Sequence, residues 1–171
     1  MLETLALTAG LVMGCGGTSM SQQIPDQRGR RYALEIDTLG VEAKVPASAD
    51  RVWTVLPAVF ADLGLEVNFR EPATRRAGAC YQRVHGRLAG ALLSTFLDCG
   101  DSRSVPNADR FEVAMTVLVT VVPAGDQAAK VHAFVIGVGD DAASSNSKTW
   151  CYSTGALEAR IRRLVETKLA S

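Results

Sequence analysis

The sequence predicts an α+β fold, an antiparallel sheet with two helices packed on one face in a two-layer sandwich. Residues 111–122 alternate without interruption, with Phe111, Val113, Met115, Val117, Val119 and Val121 on one side, the period of a strand with one face to be covered. After a turn at Pro123-Ala124-Gly125-Asp126, residues 129–138 read as the partner strand, so the two runs form a long hairpin. Val52, Val55, Leu56, Val59 and Leu63 recur at helical spacing before the hairpin, and Leu157, Ile161, Leu164, Val165 and Leu169 after it. Each is an apolar helix stripe that needs a sheet to rest on.

The elements follow in order. Residues 32–44 carry a loose strand pattern with a turn at Thr38-Leu39-Gly40, and 41–45 alternate as a half-buried strand does. Pro46 stops that strand. Ser48 is a helix N-cap, Asp50 favours the positive helix end and Gly64 suits the position past the helix. Pro57 predicts a kink or a break inside it. Trp53 and Phe60 flank the stripe and are read as packing. Leu65, Val67 and Phe69 alternate with Glu66, Asn68 and Arg70, and a turn at 71–74 leads to a second strand over 77–85. Residues 86–96, apolar with two glycines, are a short helix or an irregular segment over the sheet. Residues 98–109 and 139–149 read as polar loops, the second with Ser144-Ser145-Asn146-Ser147 at its tip. Ser153 or Thr154 caps the last helix, and Glu158 with Arg162 makes an i,i+4 pair.

Residues 5–13 form an apolar stretch too short to span a membrane, which takes about 20 residues. It matches the apolar region of a secretory signal. Val12-Met13-Gly14-Cys15 resembles a bacterial lipoprotein signal, in which the thiol takes a diacylglyceryl group. That resemblance divides the chain into a signal peptide at 1–14, a lipid anchor and flexible tether at 15–31, and a single α+β domain at 32–171. The start carries Glu3 and no Lys or Arg, so a cleaved secretory peptide and an ordinary N-terminal segment stay open.

Four cysteines occur, Cys15, Cys80, Cys99 and Cys151. With Cys15 lipidated, one pair can form and one thiol is left over. Cys99 and Cys151 lie at loop edges and are the expected disulfide, since such bonds persist in exported proteins. Cys80 sits in a strand-like run and reads as a buried small hydrophobe. There is no CxxC, and His132 lies far from any cysteine in the sequence, so no metal site is expected.

Lys plus Arg and Asp plus Glu balance at 18 each, which leaves no electrostatic footprint for nucleic acid. The basic groups Arg28/Arg30/Arg31, Arg75/Arg76 and Arg160/Arg162/Arg163 read as solvated surface. The sequence holds no GxSxG, P-loop, HExxH, GxGxxG or CxxCH. Cys80 with His132 would make a nucleophile and a base, but nothing in the sequence brings them together. Asp140, Asp141 and Asn146 read as turn formers rather than calcium ligands. Ser153-Thr154-Gly155 reads as a helix cap rather than an anion site.

Residues 46–53, Pro-Ala-Ser-Ala-Asp-Arg-Val-Trp, and 63–67, Leu-Gly-Leu-Glu-Val, resemble the strand–helix–strand unit of BamC-like envelope lipoproteins and related helix-grip domains. The resemblance implies a helix on an antiparallel sheet and a role in a membrane assembly. The segments around Cys99 and Cys151 look like those of bacterial lipoproteins too. The expected protein is therefore a lipid-anchored subunit of the periplasm or cell envelope, not an enzyme and without cofactor or metal. Its expected partners are other envelope or membrane-complex proteins, of transport, respiratory or photosynthetic type. The alternative is a carrier of a small apolar ligand or lipid held between helix layer and sheet.

Overall fold

The computed structural model describes residues 21–25, 31–35, 40–141 and 148–171. The order is β1 (Ser21–Pro25), β2 (Arg31–Glu35), β3 (Val41–Val45), α1 (Ala49–Asp62), β4 (Phe69–Glu71) and β5 (Arg76–His85). Then come β6 (Arg87–Leu88), β7 (Ala91–Leu92), β8 (Leu97–Asp98), β9 (Asp101–Ser102), β10 (Val105–Pro106), β11 (Glu112–Pro123), β12 (Ala129–Asp140), β13 (Lys148–Ser153) and α2 (Ala156–Ala170). The fold is α+β, a large antiparallel sheet with two helices. The sheet runs β4-β5-β11-β12-β13-β8, and β12 also pairs with β3.

β11 and β12 pair residue for residue, from Glu112 opposite Asp140 to Pro123 opposite Ala129. The outer edge of β12 is divided. Its residues 129–133 pair with β3 and its residues 136–140 with β13. Val113, Met115, Val117 and Val119 of β11 are wholly buried, as are Val52, Leu56 and Val59 of α1 and Leu157 and Val165 of α2. The helices are tied by Lys168 to Asp62 at 2.9 Å and by Arg51 to the Leu169 carbonyl at 3.2 Å.

Ser48 caps α1 by accepting from the Arg51 N–H. The helix runs unbroken through Pro57, which lies on its solvent side, where a carbonyl left without an N–H can be hydrated instead. Trp53 is partly buried beneath the Arg70 guanidinium, 4.6 Å from its ring centre. At α2 the N-cap position falls on Gly155, at φ 85°. Thr154 accepts from the Ala156 N–H through its hydroxyl, and Ser153 from that of Gly155.

Several sequence expectations need correcting. The segment read as a tether contains β1, paired antiparallel with β2, because the pairing satisfies backbone groups a free tether leaves to water. The strand expected from Leu65 shrinks to β4. Before it the Asn68 N–H still bonds the Gly78 carbonyl at 3.1 Å, and side chains add to the pairing: Asn68 accepts from the Cys80 N–H and donates to the Cys80 carbonyl, both at 2.8 Å. Gln82 does the same for the backbone of Glu66. Residues 86–96 form a small hairpin, β6 with β7, and a single 3₁₀ turn. Residues 98–109 include a second such hairpin, β9 with β10. The region read as a polar loop over 139–149 ends in β13, and its residues 142–147 lie outside the described ones. Glu158 is buried rather than paired with Arg162, which joins Glu166 instead at 3.3 Å.

Asn68→Ala is expected to cost about 2 kcal/mol, because it leaves a buried N–H and C=O without partners. Urea unfolding reads this directly, and a loss below about 0.5 kcal/mol would mean water replaces the amide.

Candidate functional site on the outer face

The sheet face opposite the helices is unevenly covered. Leu118 and Ile136 are buried there, while Tyr81 and Tyr152 are more than half exposed. Residues directly opposite one another across neighbouring strands share a face. Arg83, Ala114, Val138 and Trp150 therefore form one row across β5, β11, β12 and β13. The adjacent row is His85, Glu112, Asp140 and Lys148.

A β-bulge sets this arrangement. On β5 Ala79 lies opposite Val117 and Gln82 opposite Met115, so Cys80 and Tyr81 together face the single Thr116. Tyr81 takes φ 56°, and its N–H donates to the Thr116 hydroxyl at 3.2 Å. The extra residue inverts the alternation. Ala77 and Ala79 face the helices, whereas Arg83, at the same parity, is carried to the outer face.

The two rows and the bulge frame a hollow of about 460 Å³. Ala114 and Val138 supply small side chains to it, Tyr81 and Trp150 the large ones, and Arg83, Glu112, Asp140 and Lys148 its charges. Its size falls in the usual range for ligand pockets. Arg83 and Glu112 form an ion pair, and Asp140 lies opposite Lys148, so the charged groups balance. The site can hold an apolar or aromatic group in its centre and meet polar groups at its rim.

Cys15 lies outside the described residues. Cys99 and Cys151 are joined in a disulfide spanning 52 residues, between the end of β8 and β13. Both are buried. The bond pins the strand that carries Trp150 and Lys148. Cys80 is buried and disulfide-bonded, which corrects its reading as a plain small hydrophobe. His132 stands 3.4 Å from a Glu42 oxygen and opposite Thr120, four residues along β11 from the Thr116 that faces Cys80. That is about 13 Å along the strand, so Cys80 and His132 form no pair. Asp140 sits at the hollow, while Asn146 is outside the described residues.

Sequence reasoning missed Tyr81 and Trp150. The one signal for Tyr81 was the switch of apolar parity from Ala77 and Ala79 to Val84. No family model and no curated protein matches the chain. One solved structure similar to it is norcoclaurine synthase from Thalictrum flavum in complex with dopamine and hydroxybenzaldehyde. The identity is 11% and the TM-score 0.36, over 77% of this chain and 85% of that one. A likeness at that score bears on neither the chemistry nor the partners of this chain.

Proposed function

We propose that this chain is a non-catalytic, extracytoplasmic binding subunit that grips an envelope or membrane-complex protein with the outer face of its sheet. The observation that carries the reading is the hollow between Tyr81 and Trp150, an aromatic-flanked recess with a balanced charged rim. Aromatic anchors around a recess are the usual energetic centre of a protein interface. The buried Cys99–Cys151 bond supports an oxidising compartment, and the apolar stretch at 5–13 supports export. Among the described residues no helix is long and apolar enough to cross a membrane.

Lipid on Cys15 belongs to the same reading, as the means of attachment. Intact mass of the native protein tests it, since a diacylglyceryl group and cleavage before Cys15 each change the mass.

Filling the hollow tests the proposal. Ala114→Trp occupies it and Trp150→Ala removes one side. Each is expected to weaken binding to an envelope protein first identified by crosslinking to the parent by about thirtyfold, the scale of a central anchor. Unfolding midpoints confirm that the variants are folded. Unchanged capture by both would end this reading.

A further inference from the structure

Where α2 meets β3 and the start of β12, a second and smaller hollow of about 90 Å³ opens. Its apolar lining is Val41, Ala43, Val131 and Ala159, and its charged groups are Glu42, Glu158 and Arg162. Val41 is half exposed, while Glu158 is only 5% exposed and its Oε2 has no hydrogen-bond partner. Glu158 stands third in α2, where an acid is favoured by the helix dipole. The donor such a residue would reach back to, the Gly155 N–H, is already given to the Ser153 hydroxyl at 2.9 Å.

The neighbouring charges are matched and Glu158 is not. Glu42 faces Lys130 Nζ at 3.0 Å and His132 Nε2 at 3.4 Å, and Arg162 Nε faces Glu166 at 3.3 Å. One buried carboxylate oxygen is thus left without a donor beside a recess with apolar walls. A guanidinium fork asks for two coplanar oxygens, whereas an ammonium is a compact point charge suited to one. No group of three His, Cys, Asp or Glu able to hold a metal occurs among the described residues.

We infer that this hollow binds a primary alkylammonium group. The ammonium donates to Glu158 and the methylenes lie against Val41, Ala43, Val131 and Ala159. A free amine or a lysine side chain of a partner presents the same chemistry.

Titrating n-butylammonium chloride into the full chain, followed by backbone amide NMR, tests this. Saturable shifts are expected around Ala43 and Ala159. Glu158→Gln is expected to weaken them by at least about tenfold, the loss of a charged partner. Ala159→Leu, which fills the recess and keeps the carboxylate, is expected to abolish them. n-Butanol should leave these amides still. Nα-acetyl-lysine amide shifting the same residues points to a side-chain ligand; its silence beside a butylammonium response points to a free amine. Ala114→Trp should bind butylammonium as the parent does, which separates this site from the outer-face hollow. Absence of a saturable response in the folded parent, an equal response to butanol, or binding unaltered in Glu158→Gln overturns the inference.

Discussion

Replacing Cys99 and Cys151 together by alanine is expected to lower the unfolding free energy by about 3–4 kcal/mol, the constraint a disulfide places on a loop of this length. The bond spans 52 residues and joins neighbours across the β8–β13 pair, where Asp98 lies opposite Tyr152. β8 is only two residues long and β13 six. Little ladder therefore holds this corner without the crosslink. Removing both sulfurs avoids a buried thiol left facing an empty space. Reductant is a poorer test, because Cys80 is disulfide-bonded too. Urea unfolding of the double variant against the parent measures the effect. A difference below about 1 kcal/mol would mean that packing alone secures β13. Because Trp150 is next to Cys151, partner capture should fall as well, most steeply near the lowered midpoint.

Gly137→Ala is expected to destabilise the fold by about 3 kcal/mol, the upper end for an overpacked core. A Cβ at Gly137 would meet Val113 Cγ1 at 2.6 Å, Leu97 Cδ1 at 3.2 Å and the Cys151 Cβ at 3.4 Å. Val113, Leu97 and Cys151 are all fully buried, so none can retreat into solvent. Gly139, two residues on, keeps the same kind of space for Phe111 and the Cys151 sulfur. Adding Val113→Ala should rescue part of the loss, with a coupling of about 1–2 kcal/mol in a double-mutant cycle. Simple additivity of the two changes would place the cost in the backbone instead.

The main architecture was legible because its signals are redundant. The alternation of residues 111–122, the helix stripe with Ser48 and Gly64 at its ends, and the stripe from Leu157 to Leu169 each name an element unaided. The small hairpins were not legible. Their two-residue turns fall on Ala89-Gly90 and Arg103-Ser104, all at positive φ, and three of those four residues are not the Gly or Asn that announce such a turn. β13 was hidden because Lys148 and Thr149 look like loop and its pairing depends on β12, distant in sequence. The hollow was hidden for a related reason. Its parts come from four strands, and the bulge at Tyr81 shifts Arg83 to a face that strict alternation denies it.

The divided edge of β12 has a consequence for the order in which the chain closes on itself. β3 precedes β12 in the chain and β13 follows it, so in any N-to-C delivery of the chain the first half of β12 can find its partner before the second half can. Until residues 148–153 follow, Ile136 to Asp140 presents an unpaired edge to any extended peptide nearby.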